Sequence, residues 1–391
     1  MANKAFSTWP EYGQDQIDAV VRVLRSGKVN YWTGEEGRLF ENEFAAAIGC
    51  GHAVALTNGT AALEVALRAL GIGARDEVVV TPRTFVASAS CIATIGAIPR
   101  FADVDSDSQN VTAESIDAAL TPKTRAVICV HLAGWPCEMD AIMTLTEERR
   151  LSVVEDCAQA HGARYRGLSV GAIGNIGAWS FCQDKIMTTG GEGGMTTTSD
   201  GELRSRMWSY KDHGKAWGAV YEREHPPGFR WLHESFGTNF RMLEAQAAIG
   251  RIQLEYLDDW HQRRTQNANQ LLNGLSDIEA LRVPRPPSHV EHAWYKFHAF
   301  IRPDLLKTNW DRDRILDEAG AAGIPCFAGS CSEVYLERAF ANTGWRPAER
   351  LPVARALGET SLMVLVDPTV SSARIDKTIE VLKAVMARAV R

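Results

Sequence analysis

The sequence predicts an α/β protein: a large domain with a mostly parallel central sheet covered by helices, and a smaller α+β C-terminal domain. Between residues 52 and 163, nearly unbroken apolar runs alternate with helix-like segments, which is typical of a parallel sheet buried on both faces. The chain has 391 residues, more than one hydrophobic core usually supports, so we expect two unequal domains. Beyond about Pro284 the pattern changes, which predicts the start of strands and helices of a different type.

Two helices are predicted before the sheet begins. Residues 14–27 have apolar residues at helical spacing and end at Gly27, and residues 37–49 repeat this pattern and end at Gly49. The apolar face of the first helix contains four residues: Ile17, Val20, Val21 and Leu24.

Strands and helices then alternate along the chain. Short apolar runs predict strands within residues 52–60, 77–82, 99–105, 124–134 and 151–163. Runs of helix-forming residues between them predict helices within residues 61–73, 86–96, 112–120 and 141–150. The third of these helices starts with Thr112 as a cap and has Glu114 in its first turn. In such sheets the ligand lies beyond the carboxyl ends of the strands. This places residues 58–60, His131 and residues 156–161 on one rim.

The second half of the sequence predicts a cover and a second domain. Residues 200–240 are polar and aromatic, which predicts a long ordered loop covering a site, and a long bridging helix follows at 241–275. A strand at 293–303, a helix at 312–323 and a final helix near 376–390 predict the smaller domain. We therefore predict a large domain over residues 1–255 and a smaller domain, including the bridging helix, over residues 256–391.

Composition excludes several classes of protein. The formal net charge is −6 and no run of five basic residues occurs, which argues against nucleic-acid binding. The eight cysteines are scattered, which suits free thiols in a reducing cytoplasm. No run approaches 18 apolar residues and the N-terminus lacks a signal-peptide pattern, so we expect a cytoplasmic protein without membrane association.

The stretch at residues 178–195 contains the central candidate, Lys185. An apolar run ends at Ser180, Lys185 follows, and a glycine-dense loop comes next. A lysine in such a turn can lie against the core with its amine withdrawn from bulk water, which suits a Schiff-base lysine. The glycines let the backbone approach a flat cofactor closely. On this stretch alone, a surface lysine beside a tight turn is the competing interpretation.

Asp156 is the second candidate, since it ends an apolar strand where an unpaired buried carboxylate is costly. A cationic ring nitrogen, an arginine or a helix N-terminus would each satisfy it. A lysine and an aspartate on one rim are the two protein groups that pyridoxal phosphate needs most. Gly59, Thr60 and Ser180 offer amides and hydroxyls for its phosphate.

Two weaker patterns receive ordinary structural interpretations. The glycines of residues 171–177 lack dinucleotide-loop spacing and a following helix, so they predict a turn. Neither the pair His289 and His292 nor the pair Cys326 and Cys331 has further ligands nearby, so no metal site is predicted.

Six motifs together resemble the DegT/DnrJ/EryC1/StrS (sugar) aminotransferases, which are pyridoxal-phosphate enzymes of the aspartate-aminotransferase fold, type I. The motifs occur in the family's order and spacing from about residue 10 to 255, and the C-terminal third fits more loosely. They are TNGTAAL, TPRTFVASAS, ADVD, VVEDCAQAHGA, SFCQDKIMTTGGEGGM and GTNFRMLEAQAAIGRIQL. Two departures are Glu35 after Gly34, where the family often has Gly-Pro, and the absence of a histidine-containing substrate motif near residues 324–337.

The resemblance implies a role for each matching residue. Lys185 would be the catalytic Schiff-base lysine and proton shuttle, Asp156 would pair with the ring nitrogen and Gln159 would reach the ring hydroxyl. Phe85 would stack on the ring. The remaining cofactor-binding residues would contact the phosphate: Gly59, Thr60 and Ser180 of the same subunit and Asn239 of its neighbour. The resemblance therefore implies a homodimer with shared active sites.

The expected reaction is transfer of an amino group from glutamate to a keto group of a nucleotide-linked deoxysugar. Its product would be an amino sugar for a surface polysaccharide, such as an O-antigen, or for a glycosylated metabolite. A glutamine-dependent aminotransferase acting on an inosose-type cyclitol is the nearest alternative. A sugar dehydratase with the same cofactor is disfavoured by Lys185, because that subgroup carries histidine there. A cofactor-binding regulator would need a DNA-binding module, and the sequence indicates none.

Overall fold

The computed structural model describes residues 6–391 and confirms the predicted α/β class. In the described part of the chain the strands are short. They are β1 (His52–Leu56), β2 (Glu77–Val80), β3 (Ile98–Phe101), β4 (Thr124–Val130), β5 (Ser152–Asp156), β6 (Arg164–Tyr165), β7 (Leu168–Ser169), β8 (Ile176–Ser180), β9 (Gly194–Thr198), β10 (Leu281–Arg282), β11 (Val290–Glu291), β12 (Phe297–Ile301), β13 (Cys326–Phe327) and β14 (Ser361–Val364).

The α-helices range from a single turn to a rod of 32 residues. They are α1 (Gln14–Ser26), α2 (Glu36–Ile48), α3 (Gly59–Ala69), α4 (Ala87–Thr94), α5 (Ala113–Ala119), α6 (Met139–Arg149), α7 (Gly201–Lys211), α8 (Trp217–Tyr221), α9 (Glu244–Leu275), α10 (Arg312–Ala321), α11 (Pro352–Thr360) and α12 (Ser372–Ala389). Short 3₁₀ turns lie at Leu132–Gly134, Pro303–Leu305, Val334–Leu336 and Arg338–Phe340.

A seven-stranded sheet forms the centre of the molecule, with strand order β1-β9-β8-β5-β4-β2-β3. The pairs β2–β3, β2–β4, β4–β5 and β5–β8 are parallel, and β9 runs antiparallel to both β8 and β1. Helices α3 and α4 pack together, and α3 also packs on β8 and β9. The parallel strands bring their carboxyl ends to one edge, where a ligand site is expected.

The C-terminal part of the chain forms a second layer of structure around an antiparallel sheet of order β10-β12-β14-β13. Helix α9 packs against α1 and α2 at one end and against α12 at the other, so it links the two parts. The predicted boundary at residue 255 falls inside α9. The division into domains 1–255 and 256–391 therefore stays a prediction.

The structure corrects the predicted face of α1. Gly27 ends the helix with a φ of 68°, as expected, but Ile17 and Leu24 are 48% and 61% exposed. The buried residues are Gln16, Ala19 and Val23, of which the two apolar ones, Ala19 and Val23, pack against α9. Val20 and Val21 are half-buried, and Ile17 and Leu24 remain on the outer surface.

Residues 200–240 are also more regular than predicted, because they contain α7 and α8. The carboxylate of Asp200 caps α7 by accepting hydrogen bonds from the amides of Glu202 and Leu203 at 2.7 and 3.0 Å. Trp208 anchors the helix because its side chain is fully buried. After α8, residues 222–243 have no helix and only isolated β-bridges. The predicted loop is thus limited to this later segment.

Within residues 6–391, none of the helices has both the length and the apolar character needed to cross a lipid bilayer.

Candidate active site

A cavity of about 950 Å³ lies at the carboxyl-terminal edge of the central sheet. Asp156 and Ser180 are the last residues of β5 and β8, and the turn at residues 58–60 joins β1 to α3. The opposite wall comes from the C-terminal part of the chain and includes Tyr295 and Lys296. A cavity of this size is large enough for a cofactor together with a small substrate.

The structure brings most of the predicted site residues to this one cavity. Seven of them line it, namely Gly59, Thr60, Phe85, Asp156, Gln159, Ser180 and Lys185. Asn239 does not line the cavity of its own chain, and its side-chain oxygen, Oδ1, accepts a hydrogen bond from the amide of Arg241 at 3.4 Å. His131, which was expected on the rim, is instead fully buried. The roles assigned to the individual residues remain predictions.

The N-terminus of α3 forms a cradle suited to an anion. The side chain of Asn58 caps the helix by accepting a hydrogen bond from the amide of Ala61 at 2.8 Å. The amides of Gly59 and Thr60 lie in the first turn, where helix N–H groups have no partner within the helix. A Cβ on Gly59 would lie 2.5 Å from the Cβ of Ser180, so only glycine allows this close approach. Two hydroxyls and the helix dipole would favour a phosphate here.

Asp156 is held as a buried carboxylate that lacks a strong cationic partner. It accepts hydrogen bonds from the Ser88 hydroxyl at 2.7 Å and from the Ala158 amide at 3.1 Å. The Ser88 hydroxyl is in turn 2.8 Å from that of Thr84. Burial raises the pKa of Asp156, and these hydrogen bonds and the Lys185 charge offset the rise only in part. A cationic ring nitrogen in the cavity would therefore find a fixed, under-compensated anion.

Gln159 and Phe85 frame the space above Asp156. The side-chain oxygen of Gln159 accepts a hydrogen bond from the amide of Ala133 at 2.7 Å, which fixes the side chain. Its amide NH₂ group has no hydrogen-bond partner in the described residues and remains available to a ligand. The side chain of Phe85 is 66% exposed even though it lines the cavity. An exposed aromatic ring at this place offers a surface for stacking.

Lys185 lies in the loop after β8, with its main chain anchored and its amine on the cavity. The indole N–H of Trp9 donates a hydrogen bond to the Lys185 carbonyl at 2.9 Å. The Lys185 amine lies 5.0 Å from the centre of the Tyr295 ring, and the Tyr295 hydroxyl donates a hydrogen bond to Asp184. Burial alone would raise the pKa of Asp184, but the Lys185 charge and this hydrogen bond outweigh it and lower that pKa. Asp184 is therefore an anion beside the lysine.

A polar cluster beneath the cavity contains His131, Glu155 and Cys157, whose ligand atoms lie within 4.8 Å of one another. Glu155 accepts a hydrogen bond from His131 at 3.0 Å and three more from backbone amides of Gly171, Ile173 and Gly174. The second nitrogen of His131 accepts a hydrogen bond from the Cys137 amide at 3.0 Å. Because these nitrogens and oxygens are already engaged, the cluster serves as a structural network. It secures the turn predicted at 171–177.

Several cavity residues were missed from the sequence. Thr84 and Ser88 lie in the TPRTFVASAS motif, and Asp184 directly precedes the predicted lysine. Tyr295 and Lys296 lie more than 100 positions further along the chain. A lysine inside the apolar run AWYKFHAF was a signal that could have identified Lys296.

Taken together, the donors of the cavity match pyridoxal phosphate. The helix N-terminus suits its phosphate, the Asp156 carboxylate suits a protonated ring nitrogen, and the Lys185 amine suits its aldehyde carbon. The glycine at position 59 leaves the space that a side chain would fill. The residues present thus fit this group.

Comparison with known proteins agrees with this geometry. A sequence model described as the DegT/DnrJ/EryC1/StrS aminotransferase family matches residues 10–383. The solved structure of an aminotransferase from Psychrobacter cryohalolentis superposes with a TM-score of 0.97 and 57% identity, covering 98% of this chain and 99% of the other.

Two curated relatives have named substrates. The dTDP-3-amino-3,4,6-trideoxy-alpha-D-glucose transaminase of Streptomyces venezuelae is 36% identical over 90% of this chain and 86% of its own length. The UDP-N-acetyl-3-dehydro-alpha-D-glucosamine 3-aminotransferase of Acidithiobacillus ferrooxidans is 38% identical over 70% of this chain and 71% of its own length.

Proposed function

Because this chain belongs to the DegT/DnrJ/EryC1/StrS aminotransferase family and is therefore a pyridoxal-phosphate-dependent aminotransferase, we propose that it aminates a nucleotide-linked keto-sugar with glutamate as the amino donor. The product would be an amino sugar used in a surface polysaccharide such as an O-antigen. The relatives named for dTDP-linked and UDP-linked sugars support this substrate class. The eight free cysteines support a cytoplasmic location.

One observation carries the proposal: a lysine, a buried aspartate and an anion-binding helix N-terminus share one cavity. Lys185, Asp156 and Gly59 come from three separate loops or strand ends, and each lines the same space. Each suits a different part of the cofactor, as described above. A cleft that binds a ligand of another kind would not require a lysine, a buried aspartate and an anion-binding helix N-terminus together.

In this proposal the protein contributes binding, orientation and proton transfer. Bound pyridoxal phosphate supplies a carbonyl that carries the amino group and a ring that withdraws electrons from the substrate. The amine of Lys185 takes the proton from the substrate carbon and returns it later, as a general base and then a general acid. Asp156 keeps a proton on the ring nitrogen, and Ser88 holds Asp156 in place. The Gly59–Thr60 amides and Ser180 hold the phosphate.

The first experiment records the visible absorbance of the purified protein with added pyridoxal phosphate, before and after addition of the amino donor. We expect an absorbance band of the lysine-bound cofactor that shifts to that of the aminated cofactor with glutamate, and that returns when a nucleotide-linked keto-sugar is added. A response to glutamine but not to glutamate would instead favour the cyclitol alternative. Absence of any band with added cofactor would contradict the proposal as a whole.

We also propose that the protein is a homodimer with shared active sites. Residues 222–243 expose large aromatic side chains, with Phe229 at 77%, Trp231 at 78% and Phe236 at 100% exposure. Exposed aromatic residues grouped in one segment favour a protein–protein contact. Asn239 lies in the same segment and away from the cavity of its own chain, which supports a role in the neighbouring subunit's phosphate site.

Replacing Phe236 with aspartate is expected to weaken the dimer by about 10²- to 10³-fold, because a symmetric interface loses the aromatic contact twice. Light scattering coupled to size-exclusion chromatography would measure the mass, and titration would measure cofactor affinity. We expect a monomer that binds pyridoxal phosphate more weakly. Leu168, which is 61% exposed in β7, provides the control Leu168→Asp. An unchanged dimer in Phe236→Asp would contradict this assignment of the interface.

A further inference from the structure

Lys296 is a second lysine in the cavity. Its side chain lines the cavity wall opposite the cofactor-binding residues, and its amine lies 4.7 Å from the centre of the Tyr295 ring. The Lys185 amine lies 5.0 Å from the same ring centre, so the two amines are no more than about 10 Å apart. Lys296 thus lies close to the reacting centre.

Within residues 6–391, Lys296 forms no ion pair. Asp184 is the carboxylate that influences it most, but Asp184 already accepts the Tyr295 hydroxyl and also faces Lys185. Burial lowers the pKa of Lys296, and the negative charge of Asp184 offsets this only in part. Asp184 therefore faces two lysines, and although Asp367 adds a weaker attraction, the Lys296 amine has no carboxylate of the described residues in direct contact.

Arg83 adds a second unmatched cation behind the same wall. It is fully buried, and it donates hydrogen bonds to the Gln109 side chain at 2.8 Å and to the Ser330 carbonyl at 3.3 Å. Its remaining terminal nitrogen, Nη2, has no partner in the described structure, and no carboxylate pairs with it. A buried guanidinium without an acid is costly unless an anion compensates it nearby.

The Arg83 guanidinium and the His298 ring, each with an unpartnered nitrogen, both lie next to Gly329 of the cavity wall. A Cβ on Gly329 would lie 3.5 Å from Arg83 Nη2 and 3.3 Å from Cε1 of His298. The Nε2 atom of His298 is also buried without a partner. Burial, and then the charges of Arg83 and Lys296, lower the pKa of His298 to about 3, so this histidine is neutral. Positive charge on this wall is thus concentrated on Arg83 and Lys296.

We propose that Lys296 binds a carboxylate of a substrate on a wall behind which the buried guanidinium of Arg83 adds positive charge. This inference rests on the proposed function and deepens it. An amino-acid donor has a carboxylate next to the carbon whose proton Lys185 moves. The Lys296 amine contacts the same Tyr295 ring as the Lys185 amine, so it is well placed to bind that carboxylate. The carboxylate belongs to the amino donor or to an acidic keto-sugar.

The test compares Lys296→Met, Lys296→Arg and the surface control Lys377→Met, all as holoenzyme. Calorimetry measures binding of glutarate, a dicarboxylate without an amine, and stopped-flow absorbance measures single amino-transfer half-reactions. We expect Lys296→Met to raise the glutarate Kd and the half-saturating donor concentration by about 10- to 100-fold, because a charged hydrogen bond is lost. The limiting rate should change little, Lys296→Arg should recover most of the affinity, and Lys377→Met should match the wild type.

The choice of donor and acceptor separates the sources of the carboxylate. A weakening with both glutamate and glutamine assigns the α-carboxylate, and a weakening with glutamate alone assigns its side chain. A weakening confined to keto-sugars that carry an acid group assigns the acceptor. Each of these results supports the proposal.

Two results would overturn it: unchanged affinity of Lys296→Met for every carboxylate probe, or a loss confined to nucleoside diphosphates. Failure of the proposed function is distinguishable, because the wild-type enzyme itself would then transfer no amino group while the binding of glutarate could still be measured.

Discussion

Replacing Lys185 with alanine is expected to abolish amino transfer and covalent attachment of the cofactor. We assign to the Lys185 amine both the bond to the cofactor's aldehyde carbon and the movement of the substrate proton. Loss of general acid–base catalysis alone would slow the half-reaction by about 10²- to 10⁴-fold. Stopped-flow absorbance would measure the rate, and passage over a desalting column would show whether the cofactor remains bound.

Gln183 provides the matched control, since it is an exposed residue of the same loop. The variant Gln183→Ala should retain the absorbance band and the rate. The Lys185→Ala variant should stay folded, because the loop is held by the bond from Trp9 to a main-chain carbonyl, which the substitution keeps. A folded Lys185→Ala variant that still transfers amino groups at the wild-type rate would remove the basis of the assignment.

Replacing Asp156 with asparagine is expected to reduce the half-reaction rate by about 10²- to 10³-fold. This corresponds to about 3–4 kcal/mol in the activation barrier, which is similar in size to the cost of removing one partner of a buried ion pair. Asparagine has nearly the same shape, and the Ser88 hydroxyl can accept a hydrogen bond where it now donates one. The effect should therefore come from the lost charge, with the fold retained. Single-turnover absorbance with glutamate is the measurement.

Although Asp156→Asn should slow the reaction, it should not lower the stability of the cofactor-free protein. Because burial raises the pKa of Asp156, the stability that its carboxyl contributes is present below the unfolded pKa and is lost as pH rises through the folded pKa. At neutral pH, cofactor-free Asp156→Asn should be at least as stable as the wild type, but should gain less in Tm when pyridoxal phosphate is added. Asp140→Asn, on the exposed surface of α6, is the control. An equal gain in Tm for Asp156→Asn and the wild type would contradict the pairing with the ring nitrogen.

Much of the fold was predictable because local signals and burial agree in the central sheet. The capping of α5 by Thr112 appears as expected, with the hydroxyl accepting a hydrogen bond from the Ser115 amide at 3.2 Å. The face of α1 was predicted incorrectly, because periodicity placed Ile17 and Leu24 on the buried face, whereas the contact with α9 buries Ala19 and Val23. Periodicity reports which residues are apolar, and it does not report which partner a helix meets.

The candidate site also contains residues that the sequence predicted and residues that it did not. Asp156, Ser180 and Gly59 were predictable because strand ends and the turns after them converge on one edge of a parallel sheet. Tyr295 and Lys296 were missed, because their approach to the cavity depends on how the C-terminal part packs on the large sheet. The apolar run around Lys296 marks this lysine as unusual, but no local pattern shows which cavity it lines.

Glu155 and Asp156 are neighbours on β5, yet the charge of the first is paired within the protein and that of the second is available to a ligand. The hydrogen bonds of Glu155 overcome the effect of burial and lower its pKa, so its negative charge is fully used within the chain. The negative charge of Asp156 is only partly compensated within the chain and can pair with a bound ligand. Substitutions at these adjacent positions should therefore have different effects. Substitutions at position 155 should prevent folding and lower the amount of protein, whereas substitutions at position 156 should leave folded protein without activity. A survey of variants scored only by protein abundance would find the first position and overlook the second.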